Sequence, residues 1–93
     1  LEKDSNNLYA LYFIANSFFK QNKYDEAITY YDKAITIDCN IPVLWNGKAS
    51  VLVKDEKYEE ALKCYDKTLE LDPENKEAKA GKEEVMKSQN DKK

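Results

Sequence analysis

The sequence predicts an all-α fold in which a pair of antiparallel helices occurs twice and one further helix follows. When the chain is shifted by 34 residues against itself, 8–41 falls on 42–75 without a gap, and ten positions are identical. Apolar residues recur at intervals of three to four within each half, which is the period of a helix face. Only two glycines and two prolines occur, too few for the many turns of a β-sandwich. The 93 residues are predicted to form a single domain, 1–93.

Each repeat divides into two helices at a short polar break. We expect helices near residues 8–20, 24–37, 42–54, 58–71 and 76–88, with breaks at 21–23 and 55–57. The acidic pairs Asp25-Glu26 and Glu59-Glu60 open the second helices, where negative charge favours the helix dipole. Pro42 and Pro73 are expected at helix starts, where a missing N–H costs little.

The two ends of the chain extend the same pattern. Residues 1–7 align with 69–75, the tail of a second helix and its exit, so they are expected to be the tail of a preceding repeat. Repeat 1 is then 8–41 and repeat 2 is 42–75, and the chain is expected to be a fragment of a longer array. The helix after residue 76 turns strongly polar, as a solubilising cap requires. We expect a capping helix that packs through Ala78, Val85 and Met86, with a frayed tail from Gln89.

The repeat resembles the tetratricopeptide repeat, whose pattern is W-x2-L-G-x2-Y, then A-x3-F, then P. The residues that carry the resemblance in the second repeat are Trp45, Ala49, Leu52, Tyr58, Ala61, Tyr65 and Asp72-Pro73. Three positions depart from the pattern: Lys48 replaces Leu, Cys39 replaces the closing proline, and Leu11 stands where the second repeat has Trp45. Lys48 is expected to lay its methylenes on the apolar layer and raise its ammonium group to water. The resemblance implies a right-handed solenoid of antiparallel helix pairs, with two repeat units and a C-terminal capping helix.

Composition argues against several functional classes. The net charge is −3 and arginine is absent, which disfavours nucleic acid and anionic membranes as partners. No apolar run approaches the roughly 20 residues of a membrane span, and no secretory signal is visible, so a cytoplasmic location is expected. The chain lacks histidine, a nucleophile motif and a phosphate loop, so we expect neither an enzyme nor a cofactor. Cys39 and Cys64 form no metal motif and are expected to be ordinary buried or half-buried thiols.

The resemblance also implies where a ligand would bind, since first helices line the inner surface of such a solenoid. The predicted groove residues are Tyr9, Tyr12, Asn16, Phe19, Lys20, Val43, Asn46, Ser50, Val53, Lys54 and Glu77, with Ala80 and Glu84 as further positions. The aromatic side chains would supply apolar contact, the asparagine amides would bind a peptide backbone, and the lysines would attract acidic groups. Singly, each of these residues is equally compatible with an ordinary surface. The repeated aromatics Tyr24, Tyr31, Tyr58, Tyr65, Phe18 and Trp45 are expected to be packing residues.

The resulting functional hypothesis is a scaffold that binds a peptide or protein segment in its concave groove. Two alternatives stay open: self-assembly through exposed array ends, and an accessory array of a larger enzyme. One sub-family clamps the carboxy-terminal tails of heat-shock chaperones with five residues. These are a Lys and an Asn from one first helix, an Asn from the next, and a Lys and an Arg or Lys from the third. Asn16 matches one of them, but the other four positions carry Tyr12, Gly47, Glu77 and Gly81. The sequence therefore argues against a chaperone-tail clamp.

Overall fold

The computed structural model describes residues 2–91, and the side chains of residues 8–90. These residues form five helices and no strand: α1 (Glu2–Lys20), α2 (Tyr24–Ile37), α3 (Pro42–Lys54), α4 (Tyr58–Leu71) and α5 (Lys76–Asp91). Each helix packs mainly on its neighbours in the chain, so that α1 pairs with α2, α3 pairs with α4, and α5 packs on α4. The predicted all-α helical-repeat fold is confirmed, as are the bounds of α2, α3 and α4.

The outer ends of α1 and α5 differ from the prediction. Helix α1 begins at Glu2 and has no break before Leu8, because no proline or glycine interrupts residues 2–8. Pro42 is the equivalent of Leu8 in the second repeat, and there it marks the first helical position. The assignment of residues 1–7 to a preceding repeat stays a prediction. Helix α5 continues to Asp91, so the predicted frayed tail is wrong for 89–91, while 92–93 lie outside the described residues.

The turn inside each repeat is the same left-handed helix cap. Asn22 and Glu56, which are 34 residues apart, have positive φ angles of 64° and 62°. The following N–H groups close the motif: Lys23 donates to the Phe18 carbonyl at 2.9 Å and Lys57 donates to the Leu52 carbonyl at 2.8 Å. This six-residue hydrogen bond across a left-handed residue reverses the chain after a helix. It fixes the antiparallel pairing of α1 with α2 and of α3 with α4.

Small and aromatic residues hold the helices together as the repeat pattern predicts. Ala15 and Ala27 in repeat 1, and Ala49 and Ala61 in repeat 2, are fully buried, which lets the helix backbones approach closely. Tyr31 of α2 and Tyr65 of α4 are buried among them, while Phe18, Trp45, Tyr24 and Tyr58 are half-buried against the same clusters. The packing role predicted for the repeated aromatics is confirmed.

One repeat is joined to the next by a contact that occurs twice. The Tyr31 ring of α2 lies directly over Gly47 of α3, and the Tyr65 ring of α4 lies over Gly81 of α5. Beside each ring an ion pair forms, Asp32 with Lys48 and Asp66 with Lys82, both with an N–O distance of 2.6 Å. The Lys48 ammonium group, which was expected to be raised to water, pairs with the exposed carboxylate of Asp32. Because the carboxylate of each pair is about half exposed, these bridges contribute less to stability than the buried rings do.

Helix α5 covers the second repeat with its apolar side and leaves a polar side outward. Asn75 caps its start, since the Asn75 Oδ1 accepts a hydrogen bond from the Ala78 N–H at 2.9 Å. Ala78 and Val85 are buried as predicted, but Met86 is 50% exposed and does not pack as predicted. Pro73 lies in the connection before α5 and not at a helix start.

The two cysteines have different environments. Cys64 is buried, and burial raises the pKa of its thiol to about 11, which makes it unreactive near neutral pH. Cys39 is exposed, contrary to the expectation of a buried or half-buried thiol, because the connection after α2 carries it away from the core. Residues 2–91 contain no cluster of metal-ligating side chains. None of the described helices is long and apolar enough to span a membrane.

Candidate functional site

The structure brings four of the eleven predicted groove residues to one cavity. Phe19 of α1 and Ser50, Val53 and Lys54 of α3 line an open space of about 280 Å³. The remaining walls come from α4 and α5. The full lining is Phe19, Ser50, Val53, Lys54, Tyr65, Gly81 and Glu84. We call this space the groove cavity.

The groove cavity has apolar walls and a polar rim. Phe19 and Val53 supply the apolar surface, and both are half-buried. Lys54 and Glu84 are exposed at the edge and carry opposite charges. Such a mixture of apolar surface with a few converging polar groups is typical of a ligand-binding cavity.

Tyr65 lines the cavity, with its hydroxyl beside Gly81. The ring is buried, at 5% exposure, so the side chain is fixed by packing. Burial raises the pKa of Tyr65, and hydrogen bonding with Ser50 partly opposes that shift. The Ser50 hydroxyl also donates to the Asn46 carbonyl at 3.1 Å. The cavity floor therefore carries two neutral hydroxyl groups at physiological pH.

The equivalent tyrosine of the first repeat has a hydrogen-bond partner and a ring contact in the groove. Tyr31, the equivalent of Tyr65, donates its hydroxyl hydrogen bond to Oδ1 of Asn16, the equivalent of Ser50. Tyr12 packs edge-on against the Tyr31 ring, with ring centroids 6.2 Å apart. The pKa of Tyr31 is raised to about 12, mainly because the ring is buried and to a smaller extent because Tyr12 lies nearby. Tyr12 and Asn16 thus both contact Tyr31, and neither lines the groove cavity.

The two glycines explain how the tyrosines reach the groove. A Cβ atom at Gly47 would lie 2.7 Å from Cε1 of Tyr31, and one at Gly81 would lie 2.3 Å from Cζ of Tyr65. Real Cβ atoms do not approach other atoms so closely, so any side chain at either position displaces a tyrosine ring. Gly47 and Gly81 are two of the five positions of the chaperone-tail clamp. The space that a clamp side chain would need at either position is therefore occupied by a tyrosine ring.

Asn46 connects α3 to α5 beside the cavity. Its Nδ2 donates to Glu77 Oε1 at 3.4 Å, near the upper limit of a hydrogen bond. Its Oδ1 is buried and accepts no hydrogen bond from the described part of the chain. An unpaired buried acceptor is unfavourable by roughly 1–3 kcal/mol. Asn46 would therefore gain from a donor on a ligand.

The remaining predicted residues are not gathered into the cavity. Tyr9 and Val43 are 61% and 46% exposed, and Lys20 is also exposed. They lie on the same first helices, at positions that leave their side chains in solvent.

Sequence reasoning missed the hydroxyls of Tyr31 and Tyr65, which had been assigned to packing alone. The signal was the recurrence of tyrosine at both positions, together with a hydrogen-bonding residue 15 positions earlier in each repeat. It also missed Gly81 as a cavity residue. A glycine inside a helix is unfavourable unless a close approach requires it, and Gly47 and Gly81 are the only two in the chain.

Comparisons with known proteins agree on the fold. The family model for the tetratricopeptide repeat matches residues 8–38 and 42–75. No curated protein matches the chain. Many solved structures match it.

Three of these structures represent the similarity. The second TPR of Spaghetti (RPAP3), bound to the HSP90 peptide SRMEEVD, is 28% identical, with a TM-score of 0.88 over 98% of this chain and 86% of that one. The second TPR domain of human RPAP3, in complex with the HSP70 peptide SGPTIEEVD, is 29% identical, with a TM-score of 0.83 over 88% of this chain and 68% of that one. The N-terminal domain of stress-induced protein-1 (STI-1) from C. elegans is 25% identical, with a TM-score of 0.85 over 95% and 75%.

The family match covers both repeats, and the helices, turns and tyrosine contacts described above recur at its period of 34 residues. The chain belongs to the tetratricopeptide repeat family.

Proposed function

We propose that this chain binds an extended peptide segment of another protein in its groove, with one apolar side chain of the ligand in the groove cavity. The observation that carries the proposal is the cavity itself, which α1, α3, α4 and α5 build together around apolar walls and two hydroxyl groups. A cavity of about 280 Å³ is close to the small end of the range for ligand sites, and suits one side chain better than a whole small molecule. A cytoplasmic setting belongs to the same proposal and is supported by the sequence pattern alone.

Similar domains support a peptide as the ligand. Two of the matching structures are tetratricopeptide domains bound to short chaperone peptides. At 28–29% identity, the similarity supports the mode of binding more than the identity of the ligand, because the same fold serves unrelated partners.

The groove offers specific contacts to such a peptide. Phe19 and Val53 would cover an apolar side chain, and the hydroxyls of Ser50 and Tyr65 would hydrogen-bond its polar end or the adjacent backbone. The long hydrogen bond between Asn46 and Glu77 is easily exchanged. Rotation of the Asn46 amide would then present its unpaired oxygen to a backbone N–H of the ligand.

We do not propose that the groove binds a ligand through its C-terminal carboxylate, for a chemical and a steric reason. Four of its five positions carry other residues, and Gly47 and Gly81 have no room for a side chain while Tyr31 and Tyr65 are in place. Lys54, the one cation among the described residues that line the cavity, is balanced by Glu84. We therefore propose a ligand that is recognised internally rather than by its C-terminus.

Selection from a displayed library of random peptides, followed by calorimetry, tests the proposal. Selected peptides should contain a shared apolar position, and they should bind equally well as free acids and as C-terminal amides. SRMEEVD serves as the comparison peptide and should bind more weakly. A loss of binding on amidation, or a preference for SRMEEVD, would contradict internal recognition.

The variant Ser50→Asn locates the binding site. Asparagine is the residue at the equivalent position of repeat 1, and its larger side chain would occupy part of the cavity, so affinity should fall at least tenfold. The matched control is Thr36→Asn, an exposed position on α2 outside the groove, which should leave affinity unchanged. Equal affinity in both variants would exclude the cavity as the anchor.

A further inference from the structure

The faces through which one repeat packs on the next have an equivalent on α1. In α3 this face consists of Leu44, Gly47, Lys48 and Val51, which α2 covers. In α5 it consists of Ala78, Gly81, Lys82 and Val85, which α4 covers. Leu44, Val51, Ala78 and Val85 are at most 1% exposed.

The equivalent face of α1 is exposed and has a different character. Counting back 34 residues from α3 gives Ala10, Phe13, Ile14 and Ser17, which we call the α1 outer face. Phe13 is 66% exposed and Ile14 is 39% exposed, and both small residues are also exposed. The spacing of three, four and seven residues places all four on one side of the helix.

A helix of the α2 or α4 type does not fit this face. In those helices a tyrosine ring occupies the volume above a glycine, and its closest ring atom lies 2.7 Å or less from the point where a Cβ atom would be. Phe13 fills the corresponding volume in α1. The aspartate beside the tyrosine pairs with Lys48 or Lys82 at 2.6 Å, and in α1 it would meet Ile14, which offers no charge.

The face is, however, suited to its own copy. All four residues are uncharged, so no like charges face each other when two copies pair about a two-fold axis. In an antiparallel pair centred between residues 13 and 14, Phe13 of each copy meets Ile14 of the other, and Ala10 meets Ser17. The outward side of α5 lacks this property, because the exposed Lys79 and Glu83 lie near Met86 on it.

We propose that the α1 outer face associates with the same face of a second copy of this chain, as an antiparallel α1–α1 pair. The pairing would add a helix layer to the layers already formed between the repeats. It leaves the groove cavity open, since the cavity is lined from the other side of α1 by Phe19. The face is small compared with the roughly 800 Å² per partner of a standard interface, so the dimer is weak and concentration-dependent.

Sedimentation equilibrium from about 10 µM to about 1 mM covers the range of weak association. The average mass of the wild-type chain should rise toward twice the monomer mass of 10.8 kDa. The variant Ile14→Lys should remain monomeric throughout. Its fold is expected to be unchanged, because α3 and α5 already carry lysine at this position, and circular dichroism checks it.

Met86→Lys is the matched control, since Met86 is an apolar residue on α5 that is at least as exposed as Ile14. This variant should associate as the wild type does. A wild-type chain that stays monomeric at every concentration would overturn the proposal. So would a dimer that survives Ile14→Lys or is lost with Met86→Lys.

A mixture of two variants tests the register of the pair. Phe13→Lys and Ile14→Asp should each be monomeric alone. In an equimolar mixture the new lysine meets the new aspartate on one side, while Ile14 meets Phe13 on the other, so association should return. If the mixture stays monomeric although the wild type dimerises, the two-fold register is wrong.

Discussion

The two repeats share the same packing contact between a tyrosine and a glycine but differ at one groove residue, and the groove cavity lies beside the smaller of the two. In both, a buried tyrosine of the second helix passes over a glycine of the next repeat and brings its hydroxyl to the groove. In repeat 1 that hydroxyl donates a hydrogen bond to the amide oxygen of Asn16. In repeat 2 the equivalent residue is the shorter Ser50, and a cavity of about 280 Å³ opens beside Tyr65.

This comparison separates what holds the fold from what forms the site. The tyrosine and the glycine are the same in both repeats and belong to the interface between repeats. The residue that meets the hydroxyl differs between the repeats, and we expect its size to decide whether a ligand has room. On this hypothesis a repeat would change its binding surface at one position without changing its packing.

The largest expected effect is the loss of a tyrosine ring. Tyr31→Ala and Tyr65→Ala each remove a ring that is at most 5% exposed, which should destabilise the fold by about 3–5 kcal/mol. The Tyr31 variant should be the more severe, because it also leaves Asn16 without its hydrogen bond. Urea unfolding measures both values. A cost below about 1 kcal/mol at either site would contradict the interlocking role of that ring.

The second effect is the change in stability when Gly47 or Gly81 is replaced by alanine. Its sign should be opposite to the one that helix propensity alone predicts. An exposed Gly→Ala change in a helix is stabilising by roughly 0.5–1 kcal/mol. Gly47→Ala and Gly81→Ala should instead destabilise by about 1–3 kcal/mol, since the new methyl group overlaps a tyrosine ring. Urea unfolding again gives the measurement.

A double-mutant cycle isolates the contact behind this effect. Combining Gly81→Ala with Tyr65→Leu should remove most of the added penalty, whereas Tyr65→Phe should not, because the closest ring atom is Cζ. Additive effects of Gly81→Ala and Tyr65→Leu would mean that the ring is not the cause.

Much of the fold followed from the sequence because it depends on local and repeated signals. The period of 34 residues, the helical spacing of apolar residues and the polar breaks at 21–23 and 55–57 gave three of the five helices their observed bounds. The start of α1 was missed, because the alignment of residues 1–7 with 69–75 suggested a break that contains no proline in this copy.

The site was less predictable, since its shape depends on contacts between repeats. Assigning groove positions to Phe19, Ser50, Val53 and Lys54 required only the register of the helices. The role of Gly81 required knowing that Tyr65 lies over it, which no spacing along the chain reveals. The hydrogen bond between Tyr31 and Asn16 was missed because only the packing of the tyrosine ring was considered, and not the hydrogen bonding of its hydroxyl.

A smaller effect is expected when the positive-φ residue of each turn is replaced by glycine. Asn22 and Glu56 both have positive φ angles, and asparagine tolerates this conformation better than glutamate. Glu56→Gly should therefore stabilise the fold by about 1 kcal/mol, and Asn22→Gly should change stability less. Thermal unfolding of both variants gives the comparison, and a destabilising Glu56→Gly would contradict it.

The last expected effect is absent at neutral pH and is seen only at alkaline pH. The pKa of Tyr31 is raised from 10.0 to about 12 in the folded chain, so between these values the folded state holds a proton that the unfolded state has lost. The contribution of Tyr31 is complete below about pH 10 and falls as the pH rises to about 12. Urea unfolding at several pH values should show this decline, and Tyr31→Phe should make it shallower. An unchanged slope in that variant would assign the decline to other groups.

The most direct test of the groove assignment is the mapping of amide chemical shifts by NMR while a library-selected peptide is added. We predict that the shifts concentrate at Ser50, Val53, Lys54, Gly81 and Glu84, and that the same peptide leaves these amides unchanged in the Ser50→Asn variant. Shifts that concentrate instead on the outward sides of α2 and α4, at Thr29, Lys33 and Lys63, would contradict a ligand site in the groove cavity.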